Sequence, residues 1–323
     1  KLLQAILAGQ SGDYLLPPGE VSFLLHVSLV VNYDRGAYYP EKHYSHLVDS
    51  ITDVIRNRPG CDVFLEHEVD AIVTDGGRVT EVRTKNGQRF GAQRFISNID
   101  PTKTAELTGT GWTRAGSKRP RYAYSSSTFT IYLGIANIDL REHGFGSFNV
   151  WHYPHDDLNR IYRTQLVDHD LSDPWLFMST PTLHTDAPGL APPGNQILEI
   201  ATSCDYAYFE ALRRRSERDY SKAKTKIRDR ILEIVEQRYI PGLRKNLSIR
   251  VAGTPLTNER YCWAPQGNAY GSLLSADSAW PRVAPETPFD NMYMVNATAG
   301  FPSVSGTVGS GLRLFKQLDN ASA

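Results

Sequence analysis

Two dipeptides, Asp75-Gly76 and Asn86-Gly87, constrain what this chain can fold into more than any other feature of its sequence. They punctuate CDVFLEHEVDAIVTDGGRVTEVRTKNGQRFGAQRFISNID (61–100), a stretch bounded upstream by Pro59-Gly60. Glycine in each pair supplies the positive φ that tight hairpin turns require, so the stretch is predicted to fold as three strands at about 62–74, 78–84 and 88–96. A helix precedes them, over about 43–57, with Leu47, Ile51, Val54 and Ile55 on one face. A helix that runs into a strand and a meander is a piece of an α/β domain.

Upstream, residues 20–33 are apolar nearly all round, as a buried helix would be, with Pro17 and Pro18 before them and Gly36 and Pro40 after. Downstream, residues 110–120 read as an exposed linker. Strand-like runs follow at 126–136, 148–154, 174–183 and 195–203, separated by turn-rich segments, which points to a largely antiparallel sheet. Ser216 is placed to cap the longest helix, in which Tyr220, Ala223, Ile227, Ile231, Ile234 and Val235 form an inward stripe before Pro241-Gly242 stops it. Residues 253–272 read as a loop rich in aromatics and glycine, and 290–300 as a buried strand. The fold class is therefore α/β, with an α+β lobe beside it.

Lysine plus arginine and aspartate plus glutamate are equal at 35 each, so no general field attracts nucleic acid or an acidic membrane. No apolar run reaches the roughly 18 residues that a membrane span needs. Cys61, Cys204 and Cys262 are too few and too scattered for a disulfide framework or a zinc site, and a reducing, cytoplasmic setting is expected. Asn-x-Ser/Thr triplets at Asn246, Asn296 and Asn320 are frequent enough by chance to carry little weight.

The closing segment, FPSVSGTVGSGLRLFKQL (301–318), is the best candidate for chemistry. Gly306, Gly309 and Gly311 crowd the start of an amphipathic helix whose expected buried face is Val308, Leu312, Phe315 and Leu318. Its first turn carries free amides and the positive end of the helix dipole, which suits a phosphate or a polarised carbonyl. The competing reading is close helix–strand packing that needs glycine. WHYPHDD (151–157) places His152 and His155 beside Asp156 and Asp157, but a strand-and-turn context spreads them over different faces, and a surface turn is the simpler reading. No Gly-x-Ser-x-Gly elbow and no Gly-x-Gly-x-x-Gly loop after a strand is present. The residues themselves show no nucleophile, no metal cage and no acid–base pair.

Five segments taken in order resemble the phytoene desaturase and retinol saturase branch of the FAD-dependent amine-oxidase-like superfamily. They are SFLLHVSLVVNYDRGAYYP (22–40), the meander block (63–101), YAYFEALRRRSERDYSKAK (206–224), GTPLTNERYCWAPQGNAYGS (253–272) and the final strand–glycine–helix. The resemblance implies a partial FAD/NAD(P)-binding, Rossmann-like domain joined to a mixed sheet-and-helix substrate domain. It divides the chain into a helical part of the substrate domain (1–60), an FAD-domain strand plus meander (61–110), the substrate domain proper (111–285) and a closing FAD-domain strand and helix (286–323). It also implies FAD as cofactor. Val69 would lie near the adenine, Asn296 and Ala297 near the pyrophosphate, and Ser305, Gly306, Thr307 and Val308 beside the flavin ring. Tyr38, Tyr261, Tyr270 and Phe301 are expected in the wall of an apolar substrate pocket, with ordinary aromatic core as the competing reading. No catalytic residue and no metal ligand is assigned.

The family's opening strand, Gly-x-Gly-x-x-Gly turn and helix are absent, so the chain is expected to begin inside the substrate domain. Glu41, Lys42, His43 and Tyr44 stand where the family has small residues after YYP (38–40). Two functions follow. One is an FAD-dependent oxidoreductase of the desaturase, saturase or isomerase type, acting on a carbon–carbon bond of an isoprenoid- or polyene-like small molecule. The other is a non-catalytic or cofactor-incomplete subunit of a heteromer, its partner chain carrying the N-terminal FAD-binding half, or a binder of apolar ligands. Neither needs nucleic acid, and membrane contact is peripheral at most.

Overall fold

The computed structural model of the chain describes residues 2–109, 122–280 and 282–320. The expected linker at 110–120 lies outside them. Among the described residues the strands are, in chain order, β1 (Val69–Asp75), β2 (Arg78–Thr84), β3 (Arg89–Phe90), β4 (Phe95–Ser97), β5 (Ser127–Ala136), β6 (Val150–His152), β7 (Leu176–Ser179), β8 (Asn195–Cys204), β9 (Leu247–Gly253) and β10 (Met292–Met294). The chain divides into two compact units, Lys1–Val63 with Ser126–Asn258, and Phe64–Ser125 with Glu259–Ala323.

The first unit is built on an antiparallel sheet of order β6-β7-β8-β5-β9. β5 alternates strictly, so Phe129, Ile131, Leu133 and Ile135 all point into the core. The helices Tyr206–Arg215 and Glu217–Arg238 cover that face with Phe209, Ile227, Ile231, Leu232, Ile234 and Val235. Ser216 caps the long helix, its hydroxyl accepting from the Asp219 amide at 2.9 Å. Gln165 is buried with a full set of partners. Its amide nitrogen donates to Thr202 and Ser203, and its oxygen accepts from the Trp175 amide at 2.9 Å.

Two expectations fail here. The apolar segment near 20–33 forms the helix Phe23–Asp34, and His43–Arg56 forms the next, yet neither buries a single residue. Apolar composition made the first a candidate core helix, but its contacts among the described residues, Tyr14 against His26 among them, leave none of its side chains buried. His152, assigned to a surface turn, instead lies buried on β6 with its Nδ1 2.9 Å from the Tyr239 hydroxyl. Burial pushes its pKa down to about 4. No group of three or more potential metal ligands occurs among the described residues.

The second unit contains the meander, in the order β1-β2-β3, with Ile72 opposite Val82 and Val82 opposite Phe90. β1 begins at Val69, seven residues later than 62, the expected start. The third predicted strand breaks in two. β4 leaves the meander and pairs in parallel with β10, Phe95 to Met292, Ile96 to Tyr293 and Ser97 to Met294. Buried Asn291 joins the two sheets, accepting from the Val79 amide at 2.8 Å and donating to the Val79 carbonyl at 2.9 Å. The expected loop at 253–272 contains the helix Pro255–Cys262, which starts on a proline whose fixed φ suits a first helical turn.

The closing helix, Val304–Asn320, turns a different face inward than its periodicity suggested. Val308, Leu312 and Phe315 are 52%, 57% and 65% exposed, and the buried residues are Ser310 and Leu314. The reason is steric. A Cβ on Gly306 would lie 2.7 Å from the Phe301 carbonyl, and one on Gly300 would lie 2.4 Å from the Ser310 hydroxyl. The helix approaches the preceding loop so closely that only the face with Gly306 and Ser310 fits. No described helix is long and apolar enough to cross a membrane.

Candidate functional site

The site develops where β10 passes through a short turn into the closing helix. Ser303 has a positive φ of 82° and sits just before the helix. Its hydroxyl accepts from the Gly306 amide at 3.0 Å, and its carbonyl accepts from the Thr307 amide at 3.0 Å. The amides of Val304 and Ser305 have no partner among the described residues, and both residues are exposed. Of the expected Ser305, Gly306, Thr307 and Val308, the Gly306 and Thr307 amides are taken by Ser303, Val308 lies inside the helix, and the Ser305 amide is open, as is that of Val304, which was not expected. The positive end of a 17-residue helix remains behind them.

Residues 296–300 carry the chain into that helix. Asn296 is buried, donates to the Ile99 carbonyl and accepts from the Thr298 and Ala299 amides. A buried side chain committed to three hydrogen bonds is no glycan acceptor, so the sequon at Asn296 is structural. Arg282 donates to the carbonyls of Ala297 and Gly300 and stacks over Phe301, which also packs against Trp280 with centroids 5.0 Å apart. Asp100, which caps the helix Pro101–Leu107, accepts from the Thr102 amide at 2.8 Å and from the Tyr124 hydroxyl at 2.9 Å, and Tyr122 lies 3.4 Å from the same carboxylate. Burial pushes both tyrosine hydroxyls above their ordinary range, so at neutral pH they are donors, not bases.

The other sequence-assigned residues are dispersed. Val69 opens β1 opposite Thr84, with its backbone in the ladder. Tyr270 is half-buried in the second unit and its amide donates to the Ser125 hydroxyl. Tyr261 is exposed beneath Arg260. Tyr38 belongs to the first unit, where it is 87% exposed and donates to the Arg35 carbonyl. Nearby, His43 adopts φ 71°, a left-handed conformation that glycine takes without strain, at a place where the resembling family has small residues. Sequence reasoning missed Arg282, Asn291 and Ser303. Arg282, between two prolines in a turn-rich stretch, gives no periodic signal at all.

The donor set fits the electron-rich end of FAD: two open amides at a positive helix terminus, next to a turn organised by a guanidinium. The sequence holds no glycine-rich turn that would grip the pyrophosphate.

The fold is similar to that of a solved putrescine oxidase. The chain superposes on a putrescine oxidase mutant with a TM-score of 0.54 at 12% identity, covering 87% of this chain and 53% of that one. No family model matches the chain. Among curated proteins it is 26% identical over 318 residues to all-trans-retinol 13,14-reductase from Danio rerio, which covers 91% of this chain and 51% of that protein. It is 28% identical over 283 residues to the lycopene-forming phytoene desaturase of Pseudescherichia vulneris, at 83% and 54% coverage. It is 25% identical over 260 residues to the chloroplastic prolycopene isomerase of Daucus carota, at 74% and 36%. The chain is thus a relative of the phytoene desaturase and retinol saturase branch of the FAD-dependent amine-oxidase-like superfamily. It spans about half the length, or less, of these relatives.

Proposed function

We propose that this chain is part of an FAD-dependent oxidoreductase that desaturates, saturates or isomerises a carbon–carbon bond of an apolar, isoprenoid- or polyene-like molecule. The observation that carries the reading is the match, over 83–91% of the chain, to a retinol reductase and a phytoene desaturase. Bound FAD would accept or deliver a hydride. The chain's own part is to present the open Val304 and Ser305 amides at the helix end and to fix the turn at 296–300. Such chemistry depends on positioning and exclusion of water more than on side-chain acids, in keeping with a site whose tyrosines are neutral donors.

In the same reading, further polypeptide completes the nucleotide site. The support is physical: β4 and β10 form a parallel pair of three residues each, and parallel sheets are stable when extended and covered on both faces. The purified protein is expected to be yellow and to show a flavin spectrum that bleaches on anaerobic reduction. The second reading, a cofactor-incomplete subunit, draws on Ser303, whose hydroxyl and carbonyl already take two of the helix-end amides. Such a subunit would be colourless and would gain flavin only on mixing with a second polypeptide. A protein that takes up no FAD under either condition would overturn both.

A further inference from the structure

The turn at 296–300 has no regular secondary structure, yet two side chains satisfy much of its backbone. Asn296 serves the amides: its Oδ1 accepts from Thr298 at 3.0 Å and Ala299 at 2.8 Å. Arg282 serves the carbonyls: its Nη2 donates to Ala297 at 2.6 Å and its Nε to Gly300 at 2.8 Å. A third bond, from Nη1 to the Ser272 carbonyl at 3.3 Å, ties the turn to a neighbouring segment. Only a guanidinium offers donors in a fixed planar fork that reaches three carbonyls at once. The guanidinium carbon lies 5.5 Å from the Phe301 ring centroid, which fixes the plane of the fork.

Arg282 is half-buried, and among the described residues no carboxylate lies within ion-pair distance of it. Desolvation disfavours its charge, but an arginine bonded to three carbonyls stays protonated. The turn therefore carries an unneutralised cation a few residues ahead of the positive end of the closing helix. Two like-signed features converge on one short segment, and an electron-rich group is the natural complement to both.

We propose that Arg282 is the positioning residue of the cofactor site, holding the turn at 296–300 in its FAD-binding shape and supplying the positive potential that favours the reduced cofactor. This rests on the FAD reading above. Clamp and charge separate in two variants: Arg282→Lys keeps the charge and loses the fork, and Arg282→Gln loses the charge and keeps some donors.

The test is titration of the purified chain, with whatever polypeptide completes its site, against FAD, together with the reduction potential of the bound cofactor and amide exchange across 297–303. Both variants are expected to exchange those amides at least tenfold faster and to bind FAD at least tenfold more weakly. The potential is expected to fall in Arg282→Gln and to stay near the wild-type value in Arg282→Lys, a pattern that a merely structural role would not produce. Unchanged exchange in both variants overturns the clamp, whatever the cofactor does. Equal potentials in wild type and Arg282→Gln overturn the electrostatic role. A wild-type protein that binds no FAD while its variants exchange faster removes the cofactor role along with the redox reading and leaves a structural clamp alone.

Discussion

Two helices of similar pattern meet different fates. Glu217–Arg238 buries Ile227, Ile231, Leu232, Ile234 and Val235 against the five-stranded sheet. His43–Arg56 carries an equally clear stripe of Leu47, Val48, Ile51, Val54 and Ile55, and every one of these residues is exposed. The closing helix repeats the second case with Val304, Val308, Leu312 and Phe315. Periodicity identifies an apolar face. What covers that face is decided by polypeptide elsewhere, and the described residues leave these two stripes exposed.

The largest expected effect tests this contrast directly. Ile231→Ala should cost about 3 kcal/mol of unfolding free energy, because the side chain is 1% exposed and its loss leaves a cavity. Ile51→Ala, at a position 51% exposed, should cost less than about 0.5 kcal/mol in urea denaturation of the same protein. Equal costs would mean that the stripe of His43–Arg56 is covered in solution.

Next in size is the pH response of the first unit. His152 is neutral in the folded core, with a pKa near 4, while the unfolded chain binds that proton from about pH 6.5. Stability therefore falls as pH drops from about 6.5 to 4, by up to about 3 kcal/mol. Asp13 acts in the opposite sense. Burial raises its pKa to about 6, against a smaller lowering from the Tyr33 hydroxyl, so its contribution is full below about pH 4 and lost as pH rises through 6. After allowance for solvent screening it is worth about 1–2 kcal/mol. Replacing Asp13 with asparagine should steepen the acid loss, and replacing His152 with asparagine should flatten it, as read by thermal melts between pH 4 and 7.

In the second unit, Asn291→Ala should cost about 2 kcal/mol, because both backbone polar groups of Val79 lose their partner in a buried place. The smallest effects are at the caps. Ser216→Ala should destabilise by about 1 kcal/mol, and Ser303→Ala, on an exposed turn, by about 0.5 kcal/mol, both measured by denaturant titration.

Much of the first unit was legible in the sequence. Strands β5 and β8, the long helix and its serine cap were all read close to their observed bounds, because a strict alternation, a repeated three- and four-residue step and a polar residue before a helix are local signals. The turns at Asp75-Gly76 and Asn86-Gly87 were legible for the same reason. The parallel pairing of β4 with β10 was not, since it joins segments almost two hundred residues apart and neither three-residue strand has a pattern of its own. The inward face of the closing helix was not legible either, since its large apolar residues point outward. Close approach of the loop selects glycine and serine instead.

The sequence by itself determined the order and type of the main elements, the two hairpin turns, the cap of the long helix and the family to which the chain is related. Those properties arise from interactions within a few residues, or from order along the chain. Tertiary structure alone decided which apolar faces are covered, where the third predicted strand breaks, and that Asn291 and Arg282 organise backbone far from them in sequence, as Asn296 does at the Ile99 carbonyl. A lone polar side chain has no period and acquires a role only when folding brings unpaired amides and carbonyls within about 3 Å of it.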